Sequence, residues 1–118
     1  MATIRIKRIY EPAGKSDGFR VLVDRLWPRG MKKEDAHIDA WIREVAPSSE
    51  LRKWFNHDPE KWEGFKKSYK AELNKGQGVK ELLREVQQHK SVTLLYGAKD
   101  ETHNQAVVLQ QYLQDKLG

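Results

Sequence analysis

The stretch from Val21 to Gly30 reads Val-Leu-Val-Asp-Arg-Leu-Trp-Pro-Arg-Gly, and its pattern decides the fold. Its first three residues are aliphatic, which is typical of a strand covered on both faces of a parallel sheet. The apolar run stops at the charged pair Asp24 and Arg25, and burying such a pair costs free energy unless it meets a partner or solvent. The stretch therefore predicts a central strand over residues 20–24 whose carboxyl end opens into a polar loop.

The second half of the chain alternates between helix and strand patterns. A helix start at Asp58-Pro59-Glu60 combines a carboxylate cap with a proline in the first turn. Apolar spacing over residues 79–86 predicts a second helix, the apolar run 92–96 predicts a strand, and a last helix is expected from about Thr102. This alternation is typical of a parallel sheet covered by helices. We therefore predict the α/β class: a small, mostly parallel sheet of three to four strands with helices packed on it, in a single domain over residues 1–118.

The first half contains one clear strand pattern and one ambiguous segment. Residues 3–9 alternate between apolar and basic side chains, which predicts a half-exposed strand at the edge of the sheet. Residues 38–45 carry apolar side chains at helical spacing, although their β-branched and aromatic character also suits a strand, and we favour a helix. After Pro47, either Ser48 or Ser49 can cap a short helix that runs to Phe55.

Charge limits the classes of partner. Lys and Arg outnumber Asp and Glu by 22 to 17, which gives a net charge of +5 and favours anionic partners. The cations are interleaved with carboxylates along the whole chain, and no long run of like charges occurs. A dedicated nucleic-acid-binding arm is therefore not expected.

The absence of cysteine removes several kinds of chemistry: disulfides, thiol nucleophiles and thiolate metal sites. The N-terminus lacks the apolar stretch of a signal peptide, and no window approaches the roughly 20 apolar residues of a membrane span. We therefore expect a cytoplasmic protein with no membrane contact.

Two polar loops follow apolar strands, and ligands in open α/β sheets collect at such carboxyl ends. The first loop is residues 24–30 and the second is residues 97–104. If the two strands are parallel neighbours, both loops line one crevice. Lys99 adds a cation near the start of the last helix, and Arg25 or Arg29 could clamp a phosphate or carboxylate there. The pattern predicts a site for an anionic small molecule.

Further side chains in these loops are candidates for the same site. Asp24 and His103 are the candidate catalytic residues, because a histidine oriented by a carboxylate can transfer protons near neutral pH. Trp27 lies between the strand end and Pro28 and can line the crevice, whereas the other three tryptophans are expected in the core. The candidate ligand-binding residues are Arg25, Trp27, Arg29, Tyr96, Lys99 and Asn104.

A simpler interpretation of the second loop stays open. In it, Asp100 or Thr102 caps the last helix, Arg25 pairs with a neighbouring aspartate, and the crevice binds nothing. His57-Asp58 resembles the adjacent pair of some metal phosphohydrolases, but further ligands at matching spacing are missing. Asp58 is already explained as a helix cap, so no metal site is predicted, and no pattern identifies a cofactor.

Three segments of the chain are long enough to compare with known families. They are Asp-Gly-Phe-Arg-Val-Leu-Val-Asp-Arg-Leu-Trp-Pro-Arg-Gly (17–30), Ala-Pro-Ser-Ser-Glu-Leu-Arg-Lys-Trp-Phe (46–55) and Leu-Leu-Tyr-Gly-Ala-Lys-Asp-Glu-Thr-His-Asn (94–104). Together they strongly resemble the YeaO-like family of bacterial proteins, a domain of unknown function. The resemblance extends over almost the whole chain and implies a small cytoplasmic α/β protein.

A wider group of related domains is similar at the same two strand ends. It has a Val-Asp-x-Arg strand and a leucine-rich strand that leads into a Lys-Asp loop. In that group the last helix commonly begins with Cys-His-Arg, whereas this chain has His103 and Asn104, so a thiol-based or histidine-based mechanism does not carry over. The matching positions are Asp24, Arg25 and Lys99, which the residue patterns also single out.

Two hypotheses about function follow. The leading one is that the protein binds an anionic metabolite or nucleotide in the crevice, either as a binding protein or as a small enzyme. The alternative is a basic, non-catalytic accessory module that contacts nucleic acid or a protein partner through surface lysines, with an affinity that falls steeply as salt rises. Those lysines include Lys32, Lys33, Lys66, Lys67 and Lys70.

Overall fold

The computed structural model of the chain describes residues 2–117. These residues form a sheet of four strands in which every neighbouring pair is parallel. The order across the sheet is β1-β4-β2-β3, which confirms the predicted α/β class. The strands are β1 (Thr3–Arg8), β2 (Phe19–Leu22), β3 (Ala40–Trp41) and β4 (Ser91–Tyr96).

The positions of β1 and β2 agree with their sequence patterns. β1 is an edge strand, and it pairs with β4 along its whole length, from Thr3 opposite Ser91 to Arg8 opposite Tyr96. β2 lies between β4 and β3, and its residues 20–22 are buried. An alternating strand tolerates an edge because one of its faces is polar, whereas an aliphatic strand gains most free energy from burial on both faces.

The predicted helix over residues 38–45 is wrong. The segment instead forms the two-residue strand β3, followed by a 3-10 turn over Arg43–Val45. The exposed edge of β2 decides the outcome, because it supplies backbone partners: the N–H of Asp39 donates to the carbonyl of Arg20 (2.8 Å), and the N–H of Ile42 donates to that of Leu22 (3.1 Å). Trp41 adds a bond from its Nε1 to the carbonyl of Asp24 (2.7 Å).

Helices cover one face of the sheet, and loops with one short helix cover the other. The main core joins alternate residues of the strands, such as Val21 and Leu94, to apolar residues of the four longer helices. On the opposite face, Leu22 and Leu95 pack with Ala36 and the loop residue Trp27. The helices are α1 (Lys33–Ala36), α2 (Ser49–Phe55), α3 (Trp62–Lys75), α4 (Gly78–Gln88) and α5 (Gln105–Leu117).

A buried ion pair lies on the loop-covered face, at the amino end of β2. Asp17 and Arg20 are 5% and 4% exposed, and their side chains are in direct contact. Lys7 of β1 also reaches the Asp17 carboxylate at 3.2 Å, and the Arg20 guanidinium donates to the carbonyls of Ala36 and His37 at 3.0 Å. Hydrogen bonds from the backbone of Gly14 and the side chains of Lys7 and Arg20 outweigh the burial that raises the pKa of Asp17, so the net shift is downward.

Two further expectations need correction. The last helix begins at Gln105 and not at Thr102, because the Oδ1 of Asn104 accepts hydrogen bonds from the N–H groups of Ala106 (2.9 Å) and Val107 (3.2 Å) and thereby caps it. Trp54 is not a core residue, since 47% of it is exposed. Its ring instead lies over Gly64 of α3, where an added Cβ would approach it to 2.8 Å.

Ser48, and not Ser49, caps α2. Its Oγ accepts from the N–H of Leu51 (3.1 Å) and donates to Glu72 of α3 (2.6 Å). We expect Ser48→Ala to lower the free energy of unfolding by about 1 to 2 kcal/mol, because an N-cap and a bond to a carboxylate are both lost. Urea denaturation measures this, with Ser49→Ala as the matched control. An equal loss in the two variants would contradict the assignment of the cap.

Candidate functional site

The carboxyl ends of β2 and β4 meet in one cavity. The two strands are parallel neighbours with Leu22 opposite Leu95, so the loops that follow them leave the sheet side by side. Between the loops and α2 lies an open cavity of about 700 Å³. We call it the strand-end cavity. Its lining residues are 24–29 of the first loop, 97–100 and 103–105 of the second loop and the start of α5, 46, 47, 52, 55 and 57 in and around α2, together with Tyr10 and Phe65.

Asp24 connects the two loops. One carboxylate oxygen accepts from the N–H of Gly97 at 2.8 Å, and the other accepts from the side-chain amide of Gln105. Burial raises the pKa of Asp24 to about 6, against the opposing effects of these two hydrogen bonds and of the Arg52 charge. A Cβ added at Gly97 would lie 3.1 Å from the Asp24 Oδ2, a tight contact that the Asp24 side chain would have to relieve by moving.

Arg25 holds the first loop against the start of α2. Its Nε donates to the carbonyl of Pro47 (3.3 Å) and its Nη2 donates to that of Ala46 (3.2 Å). The side chain is half-buried and, within residues 2–117, is in no ion pair. The pairing with a neighbouring aspartate that the simpler interpretation expects is therefore absent, and two of the guanidinium donors are used by backbone carbonyls.

The exposed cations of the cavity come from three different segments. Arg29 lies in the first loop, Lys99 lies in the second, and Arg52 lies on α2. Sequence reasoning predicted the first two but missed Arg52. No local signal marks Arg52, since a solvated arginine on a short helix is ordinary, and only the packing of α2 over the strand ends brings it to the cavity.

His57, which lies two residues beyond the end of α2, also lines the cavity. It follows Asn56, and both residues have positive φ values, 45° for Asn56 and 55° for His57. Two successive non-glycine residues in the left-handed region cost free energy, and such strain is common beside ligand sites. The sequence suggested a comparison of His57-Asp58 with metal pairs. Asp58 instead caps the turn Pro59–Lys61 by accepting from the N–H of Glu60 (3.0 Å).

His103 is oriented by Asp100 and not by Asp24. Its Nδ1 lies 3.0 Å from the Asp100 Oδ2 and 3.0 Å from the Thr102 Oγ1, and its ring meets Trp62 edge-on. Hydrogen bonds from the N–H groups of Thr102 and His103 lower the pKa of Asp100 to about 2. His103 thus faces the cavity beside a carboxylate that stays charged, on the opposite loop from Asp24.

The remaining predicted residues differ in where they lie. Trp27 lines the cavity, with its Nε1 donating to the carbonyl of Met31 at 2.6 Å. Tyr96 is 2% exposed, packs in the main core and is not among the lining residues. Asn104 reaches the cavity wall, but its Oδ1 caps α5 and its Nδ2 donates to the carbonyl of Asp100 (2.8 Å).

The lining has an excess of positive charge. Four of its side chains are cationic and two are carboxylates, and no ion pair within the described residues includes any of these cations. Residues 2–117 also contain no cluster of three or more His, Asp or Glu side chains arranged to hold a metal ion. The cations are Arg25, Arg29, Arg52 and Lys99, and the carboxylates are Asp24 and Asp100.

A family model described as the inactive DUF488-N3 subclade matches residues 3–118. The chain belongs to this subclade. Among its relatives is the uncharacterised protein YeaO of Escherichia coli (strain K12), which is 46% identical over 110 residues, covering 93% of this chain and 96% of YeaO. The resemblance to the YeaO-like family is thereby confirmed.

Relatives of this DUF488-N3 chain also occur in mycobacteria. The uncharacterised proteins Mb3100c of Mycobacterium bovis and Rv3073c of Mycobacterium tuberculosis (strain H37Rv) are each 39% identical over 110 residues, covering 93% of this chain and 92% of theirs. No solved structure matches the chain. Among residues 2–117, no helix has the length and apolar character of a membrane-crossing segment.

Proposed function

We propose that this protein binds an anionic small molecule in the strand-end cavity, as a binding protein and not as an enzyme. The observation that carries the proposal is the set of unpaired cations around the cavity, at the carboxyl ends of two parallel strands. Open α/β sheets bind ligands at this edge. An anion held there replaces water around Arg29, Arg52 and Lys99 with charge-assisted hydrogen bonds.

The state of the two candidate catalytic residues supports binding over catalysis. Asp24 accepts one hydrogen bond at each oxygen from groups of its own protein, and the Nδ1 of His103 is shared between Asp100 and Thr102. Within residues 2–117, no hydrogen bond links Asp24 to His103, so these two residues do not form a nucleophile and base pair. The description of the family as inactive agrees with a site that binds without turnover.

Arg52 provides the cleanest test, because its side chain makes no hydrogen bond within residues 2–117, whereas the side chain of Arg25 donates to two backbone carbonyls. Isothermal calorimetry at fixed ionic strength would use ribose 5-phosphate and guanosine 5′-monophosphate as probes. We expect Arg52→Gln to weaken each bound probe about tenfold or more, since a hydrogen bond to a charged group contributes roughly 1.5 to 3 kcal/mol.

Arg84→Gln is the matched control, because Arg84 is exposed on α4 and does not line the cavity. We expect it to bind both probes as the wild type does. The proposal is contradicted if neither probe binds, or if Arg52→Gln binds as tightly as the wild type. An affinity that instead rises with oligonucleotide length and depends on Lys67 and Lys70 would favour the nucleic-acid alternative.

A further inference from the structure

The strand-end cavity is more apolar than a site for a bare anion needs to be. Trp27, Phe55 and Phe65 contribute aromatic surface to its lining. Leu26 and Tyr10, which also line it, are 62% and 41% exposed. Phosphate alone would leave this surface in contact with water, and a volume of about 700 Å³ is typical of sites for larger organic ligands. The cavity walls therefore favour a ligand that has an apolar or aromatic part.

Asp24 is the second unusual feature of the lining. It is half-buried, and no ion pair within residues 2–117 includes it. Its two oxygens each accept one hydrogen bond, from Gly97 and Gln105, although a carboxylate has about four acceptor positions. A buried carboxylate is stabilised by further donors, and the open side of Asp24 is the cavity. The free acceptor positions of Asp24 therefore favour a ligand whose N–H groups donate hydrogen bonds to it.

We propose that the ligand carries a planar ring with N–H donors in addition to its anionic group, as a purine nucleotide does. The ring lies against the apolar wall and donates to Asp24, while the phosphate lies among Arg29, Arg52 and Lys99. This inference rests on the proposed function and narrows its ligand class. A sugar phosphate without a base would still contact the cations. It would leave the apolar wall exposed to water and would provide no N–H donors to the Asp24 carboxylate.

Calorimetry with two probes tests the ring. Guanosine 5′-monophosphate and ribose 5-phosphate share the phosphate and the sugar, so their difference isolates the base. We expect the nucleotide to bind about 5- to 150-fold more tightly, which is the range that one stacked base contributes. Equal affinities would overturn this inference and leave the proposed function intact. Binding of neither probe would overturn the proposed function itself.

Asp24→Asn is expected to change the affinities for the two probes in opposite directions. The substitution replaces one acceptor oxygen of Asp24 with an NH₂ donor and removes the negative charge that strengthens the bonds from the ring, so we expect nucleotide affinity to fall about tenfold. The same change removes a negative charge near the phosphate, so affinity for ribose 5-phosphate should rise. Asp115→Asn on α5 makes the same change in net charge outside the cavity and should alter neither affinity. A parallel change in both affinities on Asp24→Asn would overturn the role given to Asp24.

Leu26→Ser tests the apolar wall independently of Asp24. Because Leu26 is the most exposed apolar residue at the cavity, its loss should not disturb the core. We expect the preference for the nucleotide over ribose 5-phosphate to narrow several-fold. A preference as large as that of the wild type would show that the ring does not lie against this wall and would overturn that part of the inference.

Discussion

Asp17→Asn is expected to lower the free energy of unfolding by about 3 to 5 kcal/mol. The substitution leaves the Arg20 guanidinium, which is 4% exposed, without its counter-charge in the interior. It also weakens the bonds from Lys7 and from the N–H of Gly14 at 3.1 Å. Removing one partner of a buried pair costs far more than the pair contributes, because the remaining charge stays desolvated.

Urea denaturation at neutral pH measures this loss, and Asp115→Asn is the control. Asp115 is exposed on α5, so its substitution should change the free energy of unfolding by less than about 0.5 kcal/mol. Asp17 lies near the amino end of β2, whereas the strand-end cavity lies beyond the carboxyl end. Protein that remains folded should therefore bind the proposed anionic ligand as tightly as the wild type does. A loss no larger than that of the control would mean that Arg20 is rescued by other groups.

The second large effect is a pH dependence that Asp24 produces. Its pKa is about 6 in the folded protein and near the ordinary value of 3.8 in the unfolded chain. Between these values the native state binds more protons than the unfolded state, so the free energy of unfolding falls as pH rises through this window. The difference between these two pKa values corresponds to about 3 kcal/mol. The carboxylate thus destabilises the folded protein near neutral pH and ceases to do so below about pH 4.

Comparison of the wild type with Asp24→Asn isolates this effect. Urea denaturation from about pH 7.5 to about pH 4 should show the wild type gaining about 2 kcal/mol relative to the variant, and the rest of the effect should appear below pH 4. Asp17 and Asp100, whose pKa values are lowered, lose their contributions as pH falls further, but they do so in both proteins and cancel in the difference. A difference that does not change with pH would mean that Asp24 titrates normally.

The Asp24 shift also bears on function. Carboxylates with perturbed pKa values cluster at functional sites, so the raised pKa of Asp24 supports the proposed site. In the proposed complex, the ring of the ligand supplies the missing donors to Asp24. A protein that is destabilised near neutral pH without ligand should then be stabilised when the nucleotide binds, as mass action requires.

Much of the sheet could be predicted from local patterns. The alternation of residues 3–9 identified β1 as an edge strand, and the aliphatic run that begins at Val21 identified β2 as a central one. Capping chemistry placed the turn that begins after Asp58, although Asp100 and Thr102 were equally plausible caps for α5 and Asn104 took that role. Periodicity and caps are properties of a few neighbouring residues, so a single sequence displays them.

The candidate site was predicted only in part, because its residues come from separate segments. The loops that follow Val23 and Tyr96 were expected to meet if their strands were neighbours, and they do. Tyr96 itself points into the core, and Arg25 bonds to backbone carbonyls. The partner of a side chain at a strand end depends on which element packs beside it, and residue spacing does not specify that element.

The sequence by itself determined the α/β class, the parallel arrangement that its alternation implies, and the two polar loops at strand ends, since each follows from short-range hydrophobic periodicity. Only the tertiary structure decided that residues 40–41 become a strand, because the free edge of β2 supplied hydrogen-bond partners that a helix would have left unused. It also brought Arg52 and His57 to the cavity and left Asp24 half-buried, with no ion pair to it among residues 2–117. These features depend on contacts between residues far apart in the chain, which form only when the helices pack over the sheet.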